Sequence, residues 1–268
     1  MKLSERMLML ENAESSRRLL PIVPTIVRLD GQRFSSFTKN FEKPFSSTFH
    51  SIMSKVTLHV MKETNASFAY TQSDEISFVY YSDNYRTKTF YEGKIFKIVS
   101  SLASMVTLKF YQELLIAFPT SVKEGYSPTF DCRTFSVPNM NEAAMYFVFR
   151  QNDCIRNSIQ QLARHHYSHN ECQGKKSDKL LEMLKAKNVS WDELHDNFKY
   201  GSFFSKKVVK NKFSKEELDS LPEKHHAKQN PDIEFERNVF SKIILSAELS
   251  KARNRNEVVF QGAEPNVY

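Results

Sequence analysis

YTQSDEISFVY, Tyr70 to Tyr80, is the stretch on which the reading of the chain turns. Phe68, Tyr70, Ile76, Phe78 and Val79 favour strands on both sides of a polar centre. The pattern predicts a hairpin over roughly 66–81. Its tip, however, is Ser-Asp-Glu rather than the Asn-Gly or Asp-Gly pair that eases a tight turn. Two adjacent carboxylates at a bend without glycine call for a reason beyond reversing the chain.

Working outward, IVPTIVRLDG has the near-continuous β-branched run of a buried strand, Pro24–Leu29, closed by Asp30-Gly31. FSSTFHSIMSKVTLHVMKE follows with helical spacing, and Pro44 is placed at its first helical position. Downstream of the hairpin, Gly93 precedes KIFKIVSSLASMVTLKFYQELLIAF, a long helix with Ile98, Leu102, Met105 and Val106 on one side. PTFDCRTFSVP is a third strand region, and NEAAMYFVFRQNDCIRNSIQQLARHHY another long helix. The order β-α-β-β-α-β-α predicts an α+β, ferredoxin-like plan, a four-stranded antiparallel sheet backed by helices.

Residues 4–20 read as an amphipathic helix ended by Pro21, ahead of this plan. Beyond about 170 the texture changes. Ser190-Trp191-Asp192-Glu193 fits a capping box opening a short helix, KYGSFFSKKVVKNKF a basic strand, and 211–236 a highly charged loop. The division expected is a catalytic domain over 1–170 and a helical and strand extension over 171–268 packed on it. No internal repeat is visible.

Composition bounds the partners. The 268 residues are 40% apolar and include 22 phenylalanines, enough for a real core. No apolar run approaches the roughly 20 residues of a membrane helix. Cys132, Cys154 and Cys172 sit singly, which predicts free thiols in a reducing compartment. The N-terminal stretch has acids within its apolar run and no small-residue cleavage site, so a cytoplasmic location is expected, with a mitochondrial one as the alternative. A formal charge of +7 suits a polyanionic partner without identifying it.

The acids find partners in the predicted topology. The first and third strands of such a sheet are central neighbours, so Asp30 would meet Asp74 and Glu75 at one sheet edge. Like charges that close are costly unless a cation sits among them, and hard oxygen donors suit Mg²⁺. Two such ions serve phosphoryl or nucleotidyl transfer. Either motif alone is better explained as a solvent-exposed turn; their convergence is what favours a metal site. Lys43, beside the expected helix start at Pro44, and Lys97, in the first turn after Gly93, oppose the helix dipole unless anions bind there. Arg28 and Arg33 flank Asp30. On the helix after the third strand, Arg150, Asp153, Asn157 and Arg164 form a polar stripe opposite Ile155, Ile159 and Leu162. Its residue types suit hydrogen bonding to bases and phosphates. His165, His166, His169 and Cys172 have zinc-ligand types, but without a second cysteine pair they read as surface histidines or an RNA contact. No GxGxxG, Walker lysine loop or GxSxG is present.

VRLDGQRFSSFT, FEKPF, YTQSDEISFVY, FDCRTFSVP and FRQNDCIRNSIQQLARHHYSH together resemble, in order and spacing, the tRNA-His guanylyltransferase superfamily. RNSIQ, YSH and KYGSFFSKK resemble most its bacterial-type branch, the guanylyltransferase-like 3′–5′ RNA polymerases. The likeness covers roughly residues 5–207. It implies a polymerase-type palm running in the reverse direction. The RNA 5′ end is activated from ATP or carried as a triphosphate; the 3′-hydroxyl of GTP or another NTP then attacks it.

Carried across, the resemblance implies Asp30, the Gly31 carbonyl and Asp74 as ligands of two Mg²⁺, with Glu75 as their support. The turn from Asp30 through Gln32, Arg33 and Phe34 to Ser35, with Ser73, would cradle the nucleotide, and Lys43 and Lys97 would neutralise its phosphates. Arg28, Arg133, Arg150, Asp153, Asn157 and His169 would meet a second nucleotide or the RNA end. A homotetramer acting on tRNA is also implied. Two departures matter. The family commonly has a basic residue where this chain has Gln32, with Arg33 next, and a His-Ile pair where it has Ile155-Arg156. The second favours templated 5′-end repair over addition of one untemplated G. A nucleotide cyclase and a non-catalytic RNA-binding module are the readings left beside it.

Overall fold

The computed structural model describes residues 1–84, 90–118, 128–230, 232–243 and 248–267. Six strands form one antiparallel sheet: β1 Thr25–Gln32, β2 Phe68–Gln72, β3 Glu75–Tyr80, β4 Thr129–Ser136, β5 Ser202–Lys212 and β6 Glu234–Ile243. Their order is β4-β1-β3-β2-β5-β6. The first four reproduce the ferredoxin-like order expected from the sequence, with β1 and β3 central. The sheet then continues past β2 into the C-terminal region through Phe68↔Ser205 to Thr71↔Ser202.

Side-chain alternation gives the sheet two apolar faces. Val27, Leu29, Ile76, Phe78 and Phe204 pack under α3 (Ser47–Thr64) and α4 (Ile95–Ala117), meeting Val56, Val60, Leu102, Val106 and Phe110. Ile26, Phe68, Tyr70, Val79 and Phe203 turn to the opposite face, under α5 (Met140–His166) and α11 (Arg255–Gln261). Each such side chain, fully buried, contributes about 1.5–3 kcal/mol. The second half of α5 builds a third cluster with α6 (His169–Cys172) and α7 (Ser177–Ala186). Cys132, Cys154 and Cys172 are free thiols, and no described helix is long and apolar enough to cross a membrane.

Several local expectations are corrected. α1 spans Leu3–Ser15, stops short of Pro21 and buries none of its residues. Pro44 does not open a helix: α3 starts at Ser47, where the Ser46 hydroxyl accepts from the Phe49 amide at 3.2 Å. Cap chemistry outranked proline there. Ser190–Glu193 is a turn rather than a capped helix, because Trp191 is drawn onto α5, donating to Ser158 Oγ at 2.9 Å. The helix there is α8, Asp196–Tyr200, capped by His195. Finally, 211–236 is not a loop. It contains the end of β5, α9 (Lys215–Ser220), α10 (His226–Gln229) and the start of β6. Its charge runs along a two-stranded ribbon with opposite-charge pairs in register, such as Lys210↔Glu236 and Lys212↔Glu234.

Candidate active site

The hairpin that opened the sequence question is a two-residue turn. Gln72 pairs with Glu75, leaving Ser73 and Asp74 at the tip, with Ser73 at φ +47°. The Gly31 amide donates to the Asp74 carbonyl at 3.1 Å, tying the tip to the end of β1. Register places Asp30 opposite Glu75 on one side and opposite Asp131 on the other. Glycine at 31 has a packing cause: a Cβ there would lie 2.4 Å from the Phe34 ring. That ring anchors α2 (Phe34–Phe37) to Phe49, Phe110 and Phe130 through tilted and edge contacts. Thus the chain leaving Asp30 bends at once into an aromatic platform beside the acids.

The three predicted carboxylates are not in equivalent settings. Glu75 is 5% exposed and gripped by Arg150, itself 4% exposed, through Nε to Oε1 at 2.7 Å and Nη2 to Oε2 at 2.5 Å. Arg28 Nη2 adds a third contact to Glu75 at 3.0 Å and also reaches Asp30 Oδ2 at 2.9 Å. Arg150 continues to Asp153 at 3.0 Å, and Asp153 pairs with Arg156. The cation expected among the acids is therefore supplied, at Glu75, by two arginines. Removing one partner of such a buried pair costs roughly 3–5 kcal/mol. Asp74 has no ion pair among the described residues. Burial first, then the charges of Asp30 and Glu75, push its carboxyl above the usual value of 3.8.

A cleft of about 880 Å³ opens at this edge. Of the predicted residues it brings together Arg28, Asp30, Phe34, Ser35, Lys43, Ser73, Asp74, Glu75, Arg150, Asp153 and Asn157. It also gathers Arg164 of the expected stripe and His165 of the histidine run, together with Thr38, Gln72, Gln160 and Gln161, which were not singled out from sequence. Filling the α5 stripe between Asn157 and Arg164 finds Gln160 and Gln161; Thr38 and Gln72 carried no sequence signal. Lys43 Nζ rests on the Thr38 carbonyl at 3.0 Å.

Gly31, Gln32, Arg33, Lys97, Arg133 and His169 do not line this cleft. Gln32 accepts from Thr129 at the start of β4, and Arg33 adopts φ +59° ahead of α2. Lys97 lies 5.3 Å from the Tyr91 ring centre on α4. Arg133, level with Arg28 across β1 and β4, pairs with Asp131 at 3.3 Å. His169 is exposed at the start of α6.

The donor set fits a hard cation bound together with phosphate. Asp30 and Asp74 are oxygen donors, the Gly31 amide ties their two backbone segments together, and Asp74 carries a desolvation cost that a cation would offset. Among the described residues no three His, Cys, Asp or Glu side chains form a ready metal cage. Mg²⁺ takes one or two carboxylates, which the two aspartates would supply, and completes its shell with water and substrate phosphate.

Comparison with known proteins gives a consistent picture. Residues 7–138 match the family model described as Thg1, tRNAHis guanylyltransferase. A bacterial tRNA(His) guanylyltransferase (Thg1)-like protein, solved with ATP, superposes with a TM-score of 0.71 at 31% identity, over 76% of this chain and 88% of that one. Another such structure, solved with GTP, gives a TM-score of 0.69 at 26% identity, covering 93% and 94%. The tRNA(His) guanylyltransferase of Schizosaccharomyces pombe is 34% identical over 145 residues, 53% of each chain. Across the curated guanylyltransferases compared, the chain spans between 26% and 55% of their length.

Proposed function

The chain belongs to the tRNA-His guanylyltransferase family, and from that premise we propose that it adds nucleotides in the 3′–5′ direction to the 5′ end of tRNA, as templated 5′-end repair. The observation that carries this reading is the cleft where the Asp30 and Asp74 edge faces the polar stripe of α5. Nucleotide and RNA end have distinct walls there. Solved relatives of this fold hold ATP and GTP, which supports nucleoside triphosphates as substrates.

Asp30, the Gly31 carbonyl and Asp74 would hold Mg²⁺, which when bound polarises phosphoryl oxygens and neutralises their charge. Ser35, Ser73 and Lys43 would orient the triphosphate, Lys43 exchanging the Thr38 carbonyl for a phosphate oxygen. Glu75 is a positioning residue: its carboxylate is spent on Arg150 and Arg28, and it fixes the register of β3 against Asp30. Asn157, Gln161 and Arg164 would receive the RNA end through bases and phosphates. A homotetramer is the assembly proposed, supported by α1, which leaves Leu3, Met7, Leu8 and Leu10 exposed.

The test is extension of a 5′-labelled tRNA lacking its first nucleotide, with Mg²⁺, ATP and each NTP in turn. Extension by the nucleotide complementary to the 3′ strand, abolished in Asp74→Ala, is expected. Extension by G alone whatever the opposing base would instead mean single-G addition. Product from nucleotide without RNA would mean a cyclase.

A further inference from the structure

We propose that Arg28 is a resident counter-cation of the acidic edge, holding Asp30 closed to a divalent ion until nucleotide phosphates draw the guanidinium away. The inference rests on the reading of Asp30 and Asp74 as metal ligands. Its physical basis is one nitrogen: Arg28 Nη2 lies 2.9 Å from Asp30 Oδ2 and 3.0 Å from Glu75 Oε2. A cation therefore already occupies the gap between these facing carboxylates.

The two acids depend on it unequally. Glu75 has both oxygens satisfied by Arg150 and stays neutralised if Arg28 shifts. Asp30 has Arg28 as its ion-pair partner among the described residues. Withdrawal of Arg28 from Asp30 therefore frees a ligand without stranding a buried charge. Nor is the guanidinium content where it sits. Its Nε is buried and has no hydrogen-bond partner. Arginine offers five donors, and a polyphosphate in the same cleft presents acceptors for them. Glu75 meanwhile tethers the side chain close enough to return.

The consequence is an order of binding. A divalent ion arriving alone must displace a like charge from Asp30, whereas one arriving with a nucleotide need not, because the phosphates take Arg28. Arg28 is in this sense a positioning residue that couples metal affinity to nucleotide.

Manganese binding, read by loss of the free Mn²⁺ electron paramagnetic resonance signal, tests this without turnover. The wild type and Arg28→Gln are titrated alone and with an ATP analogue bridged by methylene between the α and β phosphorus atoms, each against a nucleotide blank. Without nucleotide, Arg28→Gln is expected to bind Mn²⁺ at least tenfold more tightly than wild type, and the gap should close with the analogue. Arg28→Lys, which keeps the charge, should behave like wild type, and Arg28→Met, which removes it, serves if the glutamine variant fails to fold. Adding Asp30→Asn to the charge-removing variant should abolish the gain. Equal nucleotide-free affinities in wild type and Arg28→Gln, or a gain that survives Asp30→Asn, overturn the proposal. No Mn²⁺ binding by any protein in either condition overturns the metal reading beneath it.

Discussion

At the scale of single residues, the hairpin tip concentrates two costs that folding alone does not require. Ser73 stands at φ +47°, a conformation that costs a residue with a Cβ roughly 1–2 kcal/mol. Asp74, next to it, is half-buried beside two further carboxylates, and its folded pKa lies above the usual 3.8. The sign is definite. A carboxyl with a raised folded pKa adds stability below the unfolded value and loses it as pH rises through the folded one. Asp74→Asn, melted without metal or nucleotide, should therefore be more stable than wild type at pH 7, with the gain fading as pH falls toward 4 and absent below it. Parallel melting curves across that range would show that burial imposes no such cost. The Asp-Glu pair without glycine was legible in the sequence as an oddity. That Glu75 would be neutralised by Arg150 was not, because the partners stand 75 residues apart and neither is unusual locally.

At the scale of elements, α5 is both wall and brace. Its apolar side packs the sheet and the α7 cluster, while its polar stripe runs along the cleft from Arg150 to Arg164. The helical repeat made this stripe readable, and Gln160 and Gln161 fill it between Asn157 and Arg164. Element ends were less legible. Ser190 carried a local start signal that a tertiary contact overrode, and at Pro44 the cap supplied by Ser46, an ordinary serine, outranked the proline. If the far end of the stripe holds RNA phosphate, Arg164→Ala should raise the Kd for tRNA severalfold and leave the kcat for a bound substrate within about twofold. The slope of log affinity on log salt should fall by about 1. A loss of kcat with unchanged Kd would place Arg164 in the chemistry instead.

At the scale of the whole molecule, the strand order 4-1-3-2 followed from the alternation of elements, since short connections and a split βαβ unit leave few other arrangements. β5 was readable as the basic strand in KYGSFFSKKVVKNKF, whereas β6 and the pairing of β5 with β2 did not follow. A charged ribbon has the composition of a loop, and its pairing partner β2 lies 130 residues earlier, as the Tyr70 hydroxyl donating to the Tyr200 carbonyl illustrates. α1 belongs to this scale as well. With no buried residue, its removal should leave the fold intact. Deletion of residues 1–15 is expected to keep the melting temperature while sedimentation velocity shows a smaller species than the full chain. An unchanged sedimentation coefficient would exclude α1 from the assembly.

The junction of β2 with β5 also sets a timetable for synthesis. Through most of translation the strand carrying the acidic hairpin is an open sheet edge, with Phe68 and Tyr70 lacking their later neighbour Phe203. An edge of that kind is a template for pairing with other chains. The nascent chain is thus at its most vulnerable to self-association just before residues 202–205 emerge, after every residue that lines the cleft has been made.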